Sequence, residues 1–321
     1  MLLWRLTKME NEYRSKTLTK LIKLKAWVLA ARLRTLPLSV SGILVGTGLA
    51  NALGYYNALI FALAIFTTIA FQVTSNFAND YGDGVRGTDD EKRIGPKRAL
   101  QSGILSKREL KIGIWISIAI SLLLSILLIY TAFGTNWVYF AIFFLLGLLS
   151  IWAAIKYTMG NSPYGYRGLG DLFVFVFFGL LSVCGSFFLH TKFITLLTLL
   201  PAIAIGLLCV GVLNLNNLRD VETDSIHNKN TMVVKMGFVW GKQYHMFLMV
   251  SAFVAFLVYA YLARTGFITF FYLLPFVVIF VHLNKVRQVK RPEKLDPELK
   301  KLALSTFFVA LSFYISINYF S

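Results

Sequence analysis

The chain has 321 residues, of which 57% are hydrophobic and 15% are charged, whereas soluble globular proteins carry roughly 25% charged residues. The apolar residues form long runs near the ~20 residues that cross a bilayer, which excludes a soluble protein. A formal net charge of +17 would suggest nucleic-acid binding in a soluble chain. Here the basic residues lie between the apolar runs, so we expect no nucleic-acid partner.

Taken in chain order, the first element is a basic segment, 1–25, which carries seven Lys and Arg and has no apolar core of signal-peptide length. We expect it to lie on the cytoplasmic leaflet, with 26–321 forming one transmembrane domain. Pro37, Pro201 and Pro275 lie within predicted spans and are candidate kink positions. The spans, bounded by Gly, Pro and Asn, are 27–50, 55–76, 111–133, 136–157, 170–190, 193–216, 240–263, 266–284 and 301–320. The predicted fold is therefore an all-α membrane protein, a bundle of about nine transmembrane helices.

The basic residues are distributed unequally between the two sides of this bundle. Thirty of the 32 Lys and Arg fall in the N-terminal segment and in alternate loops, and the other side holds only Lys192 and Arg264. By the positive-inside rule, the side rich in Lys and Arg is cytoplasmic. We therefore expect a protein of the cytoplasmic (inner) membrane whose N-terminus lies on the cytoplasmic side. All 15 Asp and Glu lie on that same side. Acidic residues contribute little to orientation, so their confinement needs another cause.

Two acidic motifs supply that cause. Asn79 and Asp83 follow the second span, and Asp220 and Asp224 follow the sixth; each pair is four residues apart and would share one helix face. Two carboxylates so placed, such as Asp220 and Asp224, repel each other unless a cation lies between them. Oxygen-only ligands suit Mg²⁺, which completes its shell with water and substrate phosphate. Two such motifs facing each other could hold a diphosphate between two metal ions.

Basic residues accompany the motifs and could stabilise a departing diphosphate. They include Arg32 and Arg34 at the start of span one and the run Lys92-Arg93-Ile94-Gly95-Pro96-Lys97-Arg98. Anchoring at the membrane surface explains most single loop cations equally well. Lys156 is the exception, because it is the lone cation at the end of its span.

The four histidines carry a weaker signal. His190, His227, His245 and His282 are scattered over an outer span end, a loop, a span and an inner span end. None pairs with another at the sequence spacing of metal ligands, and we assign none a catalytic role.

These residues resemble the UbiA superfamily of intramembrane aromatic prenyltransferases, and within it the 1,4-dihydroxy-2-naphthoate polyprenyltransferases of menaquinone synthesis. The resemblance spans essentially all of the predicted helices. It is carried by Ala31-Arg32-Leu33-Arg34-Thr35-Leu36-Pro37, Asn79-Asp80-Tyr81-Gly82-Asp83 with Gly87-Thr88-Asp89, Arg93-Ile94-Gly95-Pro96, Ala154-Ile155-Lys156-Tyr157-Thr158, Tyr164-Gly165-Tyr166-Arg167-Gly168-Leu169-Gly170-Asp171 and Asn216-Asn217-Leu218-Arg219-Asp220 with Asp224.

The resemblance implies a nine-helix bundle with a cavity open to the membrane and a cap of cytoplasmic loops. It implies that Asn79, Asp83, Asp220 and Asp224 hold Mg²⁺, two ions bridging the diphosphate of a polyprenyl diphosphate. The activated ring of 1,4-dihydroxy-2-naphthoate would attack the prenyl carbon, with loss of CO₂ and diphosphate, to give demethylmenaquinol.

Further roles follow from the same resemblance. Lys156 and Arg98 are candidates for catalytic contacts to the diphosphate, while Lys97, Asn216 and Asn217 are candidates for substrate binding. Arg32 and Asp80 are candidates for positioning the acceptor or the loops, and Asp80 is included among the catalytic residues. An acceptor such as 4-hydroxybenzoate stays open as an alternative. A secondary transporter would instead place charged residues at mid-membrane depth.

Overall fold

The computed structural model describes residues 20–89, 94–95, 97–264 and 266–319. Every regular element in this part of the chain is helical, and a 3₁₀ segment, Phe267–Leu273, leads into the eleventh helix. The helices are α1 Lys20–Ala31, α2 Leu36–Ala52, α3 Ala58–Arg86, α4 Lys107–Phe133, α5 Trp137–Lys156, α6 Gly170–Thr191, α7 Leu196–Arg219, α8 Val221–Ile226, α9 Met232–Met236, α10 Phe238–Leu262, α11 Pro275–Gln288 and α12 Asp296–Tyr319.

The number of spans agrees with the sequence prediction. Within the described ranges, 8 helices are long and apolar enough to cross a membrane, and α1 with α2 makes a ninth if this pair, bent by 46°, is one span. The all-α fold with about nine membrane helices is therefore confirmed. Most of the predicted basic segment, residues 1–19, lies outside the described residues, and its division from 26–321 stays a prediction.

Two of the three prolines begin helices and do not kink them. Between α1 and α2 the backbone of Arg32 is left-handed, with φ 51°, and a 3₁₀ turn follows. Pro37 then lies in the first turn of α2, and Pro275 in the first turn of α11. A proline is tolerated there because the first helical N–H groups have no partner within the helix. Pro201 alone lies inside its helix, α7.

Helix α3 extends ten residues beyond the predicted end of its span. The side chain of Asn57 caps its N-terminus by accepting hydrogen bonds from the amides of Leu59 and Ile60, and Gly87 ends it in the left-handed conformation, φ 76°. The whole first acidic motif is therefore helical. Asn79 and Asp83 lie on one face of α3, as their spacing predicts.

The second motif crosses a helix boundary. Helix α7 ends at Arg219, and α8 begins at Val221 after Asp220. The amide of Asp224 nevertheless donates to the carbonyl of Asp220 at 2.8 Å, so one helical turn is maintained across the boundary. Asp220 and Asp224 thus keep the side-by-side relation that their spacing predicts.

Small residues allow the central helices to approach closely. Gly42 and Gly46 of α2 lie against Ser182 and Ser186 of α6, where an added Cβ would clash. Four-residue spacing of small side chains is typical of tightly packed membrane helices. Within α6, the segment Phe175–Leu181 is a π-helix, a feature often found at functional sites.

Three buried ionisable side chains connect α10, α11 and α12. The Nε2 atoms of His245 and His282 are 3.0 Å apart, and Nδ1 of His282 is 2.7 Å from Oε2 of Glu298. The two histidines are far apart in sequence, so their spacing gave no indication of this contact. The network hydrogen-bonds groups that would be costly to leave unpaired inside a membrane.

Candidate active site

A large cavity of about 840 Å³ connects the two acidic motifs with the interior of the bundle, a volume typical of ligand sites. Near the motifs its wall is polar, and deeper it is apolar and aromatic. The deeper wall includes Ile43, Phe71, Leu128, Ile129, Phe143, Leu146, Phe177, Phe178, Leu181 and Leu189.

Seven of the eleven site residues predicted from sequence line this cavity: Arg32, Asn79, Asp83, Arg98, Asn216, Asp220 and Asp224. The structure does not bring the other four to its wall. Lys97 and Lys156 are exposed, while Asn217 and Asp80 are buried away from it. Of the basic run before Lys97, Lys92 and Arg93 lie outside the described residues. The side chain of Arg34 does too.

A polar stripe on α3 leads from the deeper wall to the first motif. Thr68, Gln72, Ser75, Asn79 and Asp83 all line the cavity, and their spacing of four, three, four and four places them on one helix face. The periodicity was visible in the sequence, but the predicted span stopped at residue 76 and divided it. The stripe offers hydroxyl and amide groups between the acids and the apolar wall.

The carboxylate of Asp83 accepts a hydrogen bond from a neutral donor. The phenol of Tyr166 donates to Oδ1 of Asp83 at 2.8 Å. Since that phenol proton is used, the hydroxyl of Thr88, 2.6 Å away, must donate to the Tyr166 oxygen. Burial raises the pKa of Tyr166, with Asp83 adding to the effect. Tyr166 therefore stays protonated and continues to donate.

The carboxylate of Asp220 is held instead by a buried cation that sequence reasoning missed. Arg219, 1% exposed, donates from Nε to Oδ1 of Asp220 at 2.7 Å and from Nη2 to Oδ2 at 2.6 Å. Its Nη1 donates to Asp296 at 2.7 Å, and Nη2 also contacts Asn216 at 2.9 Å. Two parallel bonds of this kind fix the carboxylate in one orientation.

A second missed cation, Lys229, lies between the two motifs. Its ammonium is 3.6 Å from Oδ1 of Asp224 and 3.9 Å from Oδ2 of Asp83. Burial opposes its charge, but Asp83 and Asp224 raise its pKa above the ordinary value. Burial, with Asp220 and Asp83, also raises the pKa of Asp224 to about 6. In sequence, Lys229 was indistinguishable from other loop cations.

These residues fit a divalent cation. Oδ2 of Asp224 is buried without a hydrogen-bond partner among the described residues, and an ammonium already lies between carboxylates of both motifs. No three His, Cys, Asp or Glu side chains in the described ranges converge to enclose a metal by themselves. Mg²⁺ needs only one or two protein carboxylates, because it fills its remaining positions with water and phosphate oxygens.

Asp80 contacts two arginines and is not among the residues that line the cavity. It is 1% exposed, and its Oδ1 lies 2.7 Å from Nη2 of Arg32 and 3.3 Å from Nη1 of Arg98. Arg98 also faces Asp89, with Nε 3.8 Å from Oδ2. Asp80 thus lies behind the arginines of the cavity wall, and its predicted role in catalysis or positioning stays a prediction. Nε of Arg32 is buried without a hydrogen-bond partner among the described residues, and both arginines line the cavity.

The fold and site together define a multi-pass membrane protein whose apolar cavity ends at paired acidic motifs. Residues 39–312 match the UbiA prenyltransferase family, and the chain belongs to this family. It is 41% identical over 298 residues to the 1,4-dihydroxy-2-naphthoate octaprenyltransferase of Haemophilus influenzae, covering 92% of this chain and 96% of the relative. It is 39% identical over 293 residues to the Escherichia coli protein of that name, covering 91% and 95%.

Solved structures show the same fold at low sequence identity. A UbiA homolog from Aeropyrum pernix K1 superposes with a TM-score of 0.67 at 17% identity, covering 88% of this chain and 97% of that one. A UbiA homolog from Archaeoglobus fulgidus, bound to DMAPP and Mg²⁺, gives a TM-score of 0.55 at 14% identity, covering 88% and 98%.

Proposed function

We propose that this protein transfers a polyprenyl group from polyprenyl diphosphate to 1,4-dihydroxy-2-naphthoate, releasing CO₂ and diphosphate and giving demethylmenaquinol. The main observation behind the proposal is that Asp83 and Asp224, one from each motif, line the same cavity, which continues into an apolar, aromatic interior. The names of the two bacterial relatives support the choice of acceptor.

The polar end of the cavity suits a diphosphate bound through Mg²⁺. We propose two metal ions here, held by Asn79, Asp83, Asp220 and Asp224. The choice of metal is supported by solved structures of the same fold that contain Mg²⁺ with prenyl diphosphates. Bound Mg²⁺ would supply positive charge to the leaving diphosphate as the bond between the prenyl carbon and oxygen breaks. The protein's own cations at this end, Arg32, Arg98 and Lys229, would add to that stabilisation.

The remainder of the cavity suits the prenyl chain and the aromatic ring. The apolar deeper wall excludes water, which would otherwise quench an allylic cation. The polar stripe on α3, with Gln72 and Ser75, would orient the hydroxyls of the acceptor between this wall and the diphosphate. Attack by the ring carbon that bears the carboxylate forms the new C–C bond. The electron pair of the broken carboxyl bond then restores the aromatic ring as CO₂ leaves.

The charge distribution also supports a location and an orientation. Thirty of the 32 basic residues fall on the side that carries both motifs. On this basis we propose, by the positive-inside rule, that the protein lies in the inner membrane with its active site and its N-terminus on the cytoplasmic side.

A turnover assay on purified, detergent-solubilised protein tests the proposal. The assay would supply a polyprenyl diphosphate with 1,4-dihydroxy-2-naphthoate or 4-hydroxybenzoate, in Mg²⁺ or in EDTA. We expect Mg²⁺-dependent prenylation of the naphthoate with release of one CO₂ per product. Prenylation of the benzoate alone would overturn the acceptor and keep the reaction class. Absence of turnover with either acceptor, in folded protein, would overturn the proposal.

A further inference from the structure

We infer that Lys229 is a built-in counter-ion that competes with the divalent metal for the space between the two acidic motifs, so that metal is taken up together with diphosphate and not ahead of it. The inference rests on the proposed function, because it concerns the order in which that site is filled.

The position of Lys229 is fixed by its backbone. Its amide donates to the carbonyl of Asp224 at 2.8 Å, its carbonyl accepts from the amide of Thr231 at 2.8 Å, and the next amide, Asn230, donates to the carbonyl of Tyr166 at 3.1 Å. The preceding residue, Asn228, is left-handed, with φ 55°. This loop therefore directs the Lys229 side chain inward, where 10% of it is exposed.

The ammonium is held by charge and not by short hydrogen bonds. Its distances to Asp224 and Asp83, 3.6 and 3.9 Å, exceed the normal hydrogen-bond range. It also lies 5.5 Å from the centre of the Tyr166 ring, in cation–π range. A compact charge on a flexible four-carbon stem, held in this way, can move to a new anion without breaking a fixed bonding pattern.

The neighbouring charges make this ammonium necessary when no metal is bound. Asp220 is paired with Arg219, whereas Tyr166 gives Asp83 only a neutral hydrogen bond. Lys229 is the described cation that pairs with both Asp83 and Asp224. Without it, two buried carboxylates from different helices would face each other with no compensating charge.

A divalent cation that enters this space alone would meet the ammonium as well as the carboxylates. Like charges a few ångströms apart repel strongly in a partly buried site, so metal affinity should be low in the absence of substrate. A diphosphate changes this balance, because its oxygens offer a new partner to Lys229 and further ligands to the metal. By linkage, the metal must then strengthen diphosphate binding by the same factor.

Mn²⁺ titration of the folded, purified protein, followed by electron paramagnetic resonance with and without inorganic diphosphate, tests this inference. In the wild type we expect weak Mn²⁺ binding that strengthens when diphosphate is added. Lys229→Met keeps the chain length and removes the charge, so Mn²⁺ affinity without diphosphate should rise about tenfold or more. Diphosphate should then enhance Mn²⁺ binding less than in the wild type. Lys229→Arg should keep the wild-type pattern.

A matched control is Lys290→Met, which removes an exposed lysine and should leave both Mn²⁺ affinities unchanged. Equal or weaker Mn²⁺ binding by Lys229→Met without diphosphate would overturn the inference. If that variant does not fold, the wild type alone decides: tight Mn²⁺ binding that diphosphate does not strengthen would equally overturn it. These titrations need no acceptor, so loss of turnover in the assay above would count against the proposed function and not against this competition.

Discussion

The two acidic motifs have the same four-residue spacing, but different groups hydrogen-bond their carboxylates. Asp83, on α3, receives a hydrogen bond from the neutral phenol of Tyr166. Asp220, at the end of α7, has both carboxylate oxygens bound by the buried guanidinium of Arg219. The counter-ion of Asp83, the ammonium of Lys229, lies 3.9 Å away without a short hydrogen bond, whereas Asp220 has a cation bound to both of its oxygens, so Asp83 is the more accessible of the two to a metal ion. In the second motif, Asp224 is the acid with an oxygen still available.

The largest expected effect is the loss of turnover when an acid of either motif is neutralised, and thermal stability should distinguish the two motifs. Asp83→Asn and Asp220→Asn should each lower turnover by about 10²–10³-fold, because each removes a charge that serves the metal and the leaving diphosphate. Asp220→Asn should also destabilise the protein, by about 2–3 kcal/mol and by more than Asp83→Asn, since it breaks two short bonds to buried Arg219 and leaves that cation with Asp296 as its remaining carboxylate. Turnover and thermal unfolding in detergent measure the two effects. Equal melting temperatures for both variants would contradict the comparison.

The next effect concerns the guanidinium itself. Arg219→Gln should lower turnover by about 10²-fold, because Asp220 loses the two bonds that fix its orientation and Asp296 loses its partner. Arg219→Lys keeps the charge but lacks the fork geometry, so we expect only partial rescue, to about a tenth of wild-type turnover. Steady-state kinetics at several Mg²⁺ concentrations would measure this. Full activity of Arg219→Lys would show that charge alone suffices.

The same contrast shows how far the sequence could predict the site. The acids were predictable because their relation is local: residues four apart on a helix are neighbours wherever the helix goes. The cations were not, because adjacency in sequence does not show that Arg219 turns back onto Asp220, and the other partners, Asp296 of Arg219 and Asp83 of Lys229, lie on distant segments. Lys156 illustrates the reverse case, because its position at a span end suggested a role although its side chain is exposed.

For the fold, too, some features could be predicted from the sequence and others could not. The bilayer demands long apolar runs, so the number of spans could be predicted from hydropathy. The ends of the helices could not, because α3 continues past its apolar run through the polar residues of the first motif. Contacts between helices distant in sequence, such as His245 with His282, were also beyond prediction from spacing.

A smaller effect should come from the neutral support of the first motif. Tyr166→Phe removes one hydrogen bond to the Asp83 carboxylate, worth about 1.5 kcal/mol, the lower end for a charged acceptor. Mn²⁺ affinity measured in the presence of diphosphate should therefore fall about tenfold, with kcat at saturating Mg²⁺ nearly unchanged. A fall in kcat at saturating metal, without a change in affinity, would assign Tyr166 to the chemical step and not to the metal site.

The smallest effect tests whether Thr88, which hydrogen-bonds Tyr166, contributes to metal binding through the bond between Tyr166 and Asp83. Thr88→Val removes the hydroxyl that donates to Tyr166, and we expect metal affinity to fall about 2–3-fold, the lower end for one neutral hydrogen bond. Thr88 also lines the cavity, so it could act on substrate directly. A double-mutant cycle distinguishes the two routes. If Thr88 acts through the phenol, Thr88→Val should add nothing in the Tyr166→Phe background. An additive loss would mean that the hydroxyl contacts the substrate itself and that the neutral support of the first motif ends at Tyr166.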